Sequence, residues 1–340
     1  MFYLKDNPKE NCHFIYLETE SVNTENEFYR RLLSKLVTSE FVKKHHIIWN
    51  FISEHLPVIK KIGTNGVEFD SKSDHNFREA FLSILKKNEL DDQKLIFLLD
   101  EFSQTVENIK DDNGENRAIR FLQSNREIRQ SDEISKNIQF IYSGSIGLEN
   151  IVKRINASKT INDIVPLKIK PFTQKESIEF ITLLLENVDF GLEESQLDTI
   201  LEKVEWLIPF YLQLSIQAIN DISKEENLTE ITKDVIDRAF DEMIEKRNYF
   251  DPWHTRLRTF LKGSEYNFAK ELLNRVANPK SKKIHSNEIF DLSTKYEIED
   301  YKDIIGSLVY DGYINNNEDL EIYRFNSPIL RMWWWKYVAN

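Results

Sequence analysis

The chain has 340 residues, 41% of them hydrophobic and 30% charged, with a formal net charge of −12, which is long enough for two or three separately cored domains. That acidity disfavours nucleic-acid binding by the chain as a whole, no apolar run is long enough to cross a bilayer, and an N-terminus charged by Lys5 and Asp6 is not a secretory signal. The single cysteine, Cys12, excludes an internal disulfide framework, fits a reducing cytoplasm and has no base beside it to make it a nucleophile. From Asp251 to Asn340, 13 basic residues balance 13 acidic ones, so the whole negative excess lies earlier.

Met1 to Lys5 reads as the tail of a helix stopped at Asp6-Asn7-Pro8, because proline cannot continue the hydrogen-bond ladder. His13 to Leu17 is a β-prone run, and Asn26 to Val37, with Phe28, Leu32, Leu33 and Leu36 on one face, is an amphipathic helix packed on it. A second helical pattern covers Phe41 to Leu56. Its His45-His46 pair points to different sides of a helix and does not read as a metal site. Val58 to Phe69 reads as a hairpin turning at Gly63-Thr64-Asn65-Gly66; a phosphate loop is the poorer reading, since no Gly-Lys-Ser/Thr follows. Asn76 to Asn88 is again amphipathic.

The next segment, Lys94 to Phe102, organises the chain. Leu95 to Leu99 is a continuous apolar run, the pattern of a strand buried on both faces of a parallel sheet, and it ends in Asp100 and Glu101. Ligands of open α/β sheets collect at the carboxyl ends of the strands. Paired acids there suit nucleoside triphosphate chemistry, with one holding Mg²⁺ through water and the other polarising an attacking water. A strand end that is merely acidic is the plain alternative. Beyond it, Asp111 to Gly114 reads as a polar loop and Ala118 to Arg129 as a helix. Ile138 to Tyr142 reads as a buried strand ending in Ser143-Gly144-Ser145, whose hydroxyls suit either a phosphate contact or a helix cap. Leu167 to Lys170 reads as a further strand before Pro171-Phe172. Strands alternating with helices predict right-handed crossovers and a parallel sheet.

From Gln174 the strand signals stop. Helices are predicted over Gln174–Glu186, Ser195–Val204, Phe210–Ile222 and Lys233–Lys246, with caps at Thr173 and Thr232. The last part reads as helices at Arg256–Leu261, Glu265–Ala277, Ser286–Leu292 and Ile298–Asp311. A short hairpin follows, with Glu321–Phe325 as one arm, and then the aromatic helix Ile329–Val338. Helices followed by a hairpin predict a winged-helix module. Trp333, Trp334 and Trp335 cannot all face one core, so at least one is expected at an edge.

This order, LLDEF, IYSGS, a short strand into PF, a helical module containing WLIPFYLQL, and an end at RFNSPILRMWWWKYV, resembles the prokaryotic STAND ATPases of the AAA+ class, in particular the archaeal-type ATPase branch. The resemblance implies a P-loop NTPase core over residues 1–172, a helical lid over 173–250 and a winged-helix domain over 251–340. It implies ATP and Mg²⁺ as cofactors, Asp100 as the Walker B acid holding Mg²⁺ through water and Glu101 as the catalytic base. Ser143 falls at the sensor position, with Ser145 as second choice. Pro209 falls where the family carries a Gly-x-Pro motif near adenine, although Leu207 replaces the glycine and a first-turn proline explains Pro209 equally well.

One departure is larger: the sequence has no G-x-x-x-x-G-K-[ST], the motif that cradles phosphates, so nucleotide binding is expected to be impaired in this chain. The expectation is that Met1 is an internal start and that the motif and its strand lie upstream. Their absence would leave Leu167–Lys170 without its hydrogen-bond partner. The leading functional expectation is an ATP-dependent signalling switch with a protein partner or self-association. The alternative is a nucleotide-independent scaffold that binds DNA or protein through the winged helix. Glu297, Glu299, Asp300 and Asp303 at the candidate recognition helix count against DNA, and the basic cluster Lys280, Lys282 and Lys283 counts only weakly for it. Arg117, Arg120, Arg126, Arg129 and Arg154 are all open as an arginine finger.

Overall fold

A computed structural model describes residues 1–44, 50, 52, 59–63, 66–69, 76–87, 92–145 and 147–339. The chain divides into two units, Met1–Pro166 and Leu167–Asn340. Among the described residues, no helix is long and apolar enough to cross a membrane.

The first unit is built on a parallel sheet of strands β1 (Cys12–Glu18), β4 (Lys94–Asp100) and β5 (Ile138–Tyr142), in the order β1-β4-β5. Its register runs from Cys12 opposite Lys94 to Glu18 opposite Asp100, and from Leu95 opposite Ile138 to Leu99 opposite Tyr142. Leu95 to Leu99 are all buried, as a central strand sealed on both faces requires. Helix α1 (Phe2–Asp6) precedes the sheet. Helices α2 (Glu25–Thr38) and α3 (Glu40–Lys44) follow β1, and the hairpin β2 (Ile59–Gly63) and β3 (Gly66–Phe69) precedes α4 (Phe77–Lys86). The turn residues 64 and 65 and the predicted His45-His46 pair lie outside the described residues.

Beyond β4 come α5 (Phe102–Asn113), α6 (Glu115–Arg129), α7 (Asp132–Ser135) and, after β5, α8 (Leu148–Arg154). The predicted polar loop at 111–114 is therefore mostly the last turn of α5. Gly114, at φ 87°, ends that helix in a conformation open to glycine. The core is aromatic: Phe28 meets Phe121 edge-on at 5.0 Å, and Phe97 stacks on Phe140 at 5.2 Å.

Two strand readings need correction. β5 is not buried on both faces, since Ile141 is 39% exposed, and among the described residues only β4 pairs with it. Leu167–Lys170 forms no strand. The alternating apolar residues Val165, Leu167 and Ile169 are 85–92% exposed, which is the pattern of a strand without a ladder to join.

The second unit is mainly helical: α9 (Gln174–Leu185), α10 (Glu194–Val204), α11 (Pro209–Glu226), α12 (Lys233–Glu245), α13 (Asp251–Phe260), α14 (Gly263–Ala277), α15 (Ser286–Lys295), α16 (Tyr301–Tyr310) and α17 (Pro328–Trp334). Thr173 caps α9 in a reciprocal pair with Glu176, and Thr232 caps α12 through Val235 N. A small antiparallel sheet, β6 (Ile284–His285), β7 (Ile314–Asn315) and β8 (Ile322–Phe325), has the order β6-β8-β7. Residues assigned from sequence to separate lid and C-terminal modules share one aromatic core. Trp253 meets Trp206 at 6.2 Å and Tyr313 at 5.1 Å, and Phe250 stacks on Trp333 at 5.8 Å. Trp333 and Trp334 are buried while Trp335 is half-buried, in line with the limit set by helix geometry.

Two glycines test this packing. Gly312 sits at φ +82°, and a Cβ there would lie 2.7 Å from the Trp206 ring, whereas a Cβ on Gly306 inside α16 meets nothing within 4 Å. Gly312→Ala should lower stability by about 1–2 kcal/mol or more. Gly306→Ala should raise it by about 0.5–1 kcal/mol. Urea unfolding of the two variants checks this, and equal effects would contradict the packing described.

Candidate functional site

The carboxyl edge of the sheet is closed by side-chain hydrogen bonds. The Asp100 carbonyl accepts from Thr19 N–H at 2.9 Å and from Thr19 Oγ1 at 2.8 Å, tying the end of β1 to the end of β4. Buried Thr105, in the first turns of α5, donates in turn to the Thr19 carbonyl at 2.7 Å. On the other side Ser143 N–H donates to the Leu99 carbonyl at 2.9 Å, and Phe102 N–H donates to the Ser143 carbonyl at 3.0 Å. The turn after β4 is thereby fixed from both neighbouring strands.

Asp100 stands in the middle of this edge. Ser143 Oγ donates to Asp100 Oδ1, and the Tyr16 hydroxyl donates to Oδ2 at 2.9 Å. Glu101 occupies the left-handed region, at φ 54°, an uncommon conformation for a residue with a Cβ that costs of order 1–3 kcal/mol. That turn points its carboxylate along the edge, where Oε2 accepts from Ser145 N–H at 3.0 Å and from Ser145 Oγ at 2.9 Å. Met1 Sδ lies 3.7 Å from Ser143 Oγ. The structure thus brings Asp100, Glu101, Ser143 and Ser145 together. Pro209 belongs to the second unit, exposed at the first position of α11.

Tyr16 and Thr19 were not singled out from sequence. The signal was available: HFIYLET is parallel to KLIFLLD and in register with it, so residues at and just past its end must reach the same edge. Arg129, one of the open arginine candidates, is committed elsewhere. Its guanidinium grips Asp163 at 2.8 and 3.0 Å, donates to the Thr160 carbonyl at 2.7 Å and lies over the Tyr142 ring. That grip holds the Asp163 carboxyl below its usual range.

Among the described residues, no group of three or more His, Cys, Asp and Glu side chains is placed to hold a metal ion. Asp100 with its Ser143 hydroxyl fits only the water-mediated share of a Mg²⁺ site, because Mg²⁺ commonly takes one or two carboxylates and leaves the remaining positions to water and phosphate.

No protein-family model matches the sequence. No curated protein matches it either. Solved structures do. A Walker-type ATPase of Pyrococcus abyssi superposes with a TM-score of 0.59 at 15% identity, over 97% of this chain and 85% of that one. The ORC2 protein of Aeropyrum pernix, solved as ADPNP and ADP complexes, superposes with a TM-score of 0.51 at 12% identity, over 94% and 75%. The fold is AAA+ ATPase-like. The acidic end of β4 and the serines after β5 share the carboxyl edge of the parallel sheet.

The Tyr16 to Asp100 contact has a pH consequence. Burial first, and the hydrogen bond to Asp100 second, push the Tyr16 phenol up to about 12. A folded value above the ordinary one near 10 gives stability that is whole below about pH 10 and lost as pH rises through about 12. Tyrosine ¹³Cζ shifts should show Tyr16 titrating late in the wild type and earlier in Asp100→Asn. Titration near 10 in both proteins would break the link.

Proposed function

We propose that this chain is an AAA+ ATPase-like switch of the STAND type, in which the sheet edge of the first unit handles Mg-ATP and the second unit presents a winged-helix module to a protein partner or to a second copy. The observation that carries the reading is the Asp100–Ser143 pair beside a Glu101 held in the left-handed region, at the carboxyl ends of adjacent parallel strands. Asp100 would hold Mg²⁺ through water, and Mg²⁺ would supply charge neutralisation at the phosphates. Glu101 would orient and deprotonate the attacking water, releasing its Ser145 contacts to do so. Ser143 would position that water or the terminal phosphate.

The sequence contains no G-x-x-x-x-G-K-[ST], so the phosphate cradle is not among these residues. ATP binding and hydrolysis need, in this reading, a phosphate cradle that none of these residues supplies, and this chain by itself is impaired. The order β6-β8-β7 around α14, α15 and α16 supports the winged-helix assignment. A nucleotide-independent scaffold is the second reading, favoured by two aromatic side chains at the surface of this region, Phe290 at 56% and Tyr310 at 55% exposure.

The test uses the full-length native protein. Glu101→Gln should keep the thermal stabilisation given by Mg-ATP while turnover falls about 10²–10⁴-fold, the range for loss of a general base. Unchanged turnover would remove Glu101 from that role. Absence of any Mg-ATP stabilisation of the wild type would favour the scaffold.

A further inference from the structure

Two stretches of backbone in this chain have no ladder to join. The first is the outer edge of β5. Leu95 N–H donates to the Asn137 carbonyl and Ser143 N–H to the Leu99 carbonyl, each at 2.9 Å. A parallel ladder engages alternate residues, so Gln139 and Ile141 also face β4, while Ile138, Phe140 and Tyr142 turn their N–H and C=O groups to the other side. Among the described residues no strand lies on that side and no backbone hydrogen bond engages those groups.

The second stretch is residues 165–170. Val165, Leu167 and Ile169, at alternate positions, are 85–92% exposed, and no backbone hydrogen bond among the described residues involves 165–170. Pro166 and Pro171 frame a run of four residues, 167–170, against the five of β5. The two stretches also differ in charge. Lys168 and Lys170 alternate with the apolar residues, and no acid occurs between Asp163 and Glu176. The carboxyl end of the sheet edge carries Asp100 and Glu101 beside β5.

We infer that the outer edge of β5 takes residues 165–170 of a second copy of this chain as an added strand. The outward groups of Ile138, Phe140 and Tyr142 supply the ladder, and Leu167 and Ile169 cover the apolar surface that Ile141 exposes. Lys168 and Lys170 bring positive charge to an edge that ends in carboxylates. The occupant is a second copy because each chain carries both halves, matched in length and alternation and opposite in charge. Exchange in both directions closes a two-fold dimer. The added strand is short, so the dimer is reversible and not permanent. The inference depends neither on nucleotide handling nor on the winged-helix module.

Sedimentation velocity on the nucleotide-free protein from about 1 µM to 1 mM, with amide hydrogen exchange at both ends of that range, tests it. A reversible monomer–dimer equilibrium is expected, and exchange at the Phe140 and Tyr142 amides should slow about tenfold or more as the dimer fills. Ile169→Asp on the donated strand and Ile141→Lys on the accepting one should each weaken dimerisation at least about tenfold. The urea midpoint of Ile169→Asp should not move, because that side chain is 92% exposed. A mixture of the two variants should dimerise more tightly than either alone, since the edge of one and the segment of the other are intact. A monomer at every concentration, full protection of Phe140 already in the dilute monomer, a dimer indifferent to both substitutions, or a mixture no tighter than its components would each overturn the inference.

Discussion

The candidate site of the first unit depends on how the end of β4 is held. A strand that stops in two acids would splay into water unless its last carbonyl and carboxylate were engaged. Here Thr19 takes the Asp100 carbonyl from the β1 side, while Ser143 from the β5 side and Tyr16 from β1 share the carboxylate. The part-buried carboxylate is held by hydroxyl donors, with no buried cation among its partners in the described residues. Glu101 absorbs the resulting sharp turn as a left-handed residue, and its carboxylate faces Ser145 instead of folding back over the helix.

The second unit solves a different problem. Beside the buried aliphatic faces of α11, α12 and α14, aromatic rings from distant stretches join the helices: Trp206, Tyr211, Phe250, Trp253, Tyr313, Phe325, Trp333 and Trp334 form a linked series of ring contacts. Polar handles are satisfied where they enter it. The Tyr313 hydroxyl donates to the Trp253 carbonyl at 2.6 Å, and Trp334 Nε1 donates to Asn274 Oδ1 at 2.8 Å. Phe250 and Trp253, on either side of the boundary that the resemblance implies, belong to this one ring cluster.

Helices with caps and clean periodicity, such as α2 and α12, were legible in the sequence because local signals and burial agree in them. The central strand was legible for the same reason: five apolar residues followed by two acids admit few other environments. Local pattern failed where partners decide the outcome. VPLKIK has the composition of a strand, yet strand formation needs a neighbour to bond with, which no window of sequence reports. IQFIY reads as buried until one sees that, among the described residues, a single strand flanks it. The helix at 102–113 was hidden by the polar run at its end.

The exposed row of Val165, Leu167 and Ile169 carries a liability as well as a structural meaning. Extended backbone with apolar residues on alternate positions is a template onto which any passing chain of similar character can zip. Its prolines, Pro166 and Pro171, and its lysines, Lys168 and Lys170, act as gatekeepers, breaking the donor row and charging the opposite face, which keeps such self-stacking short.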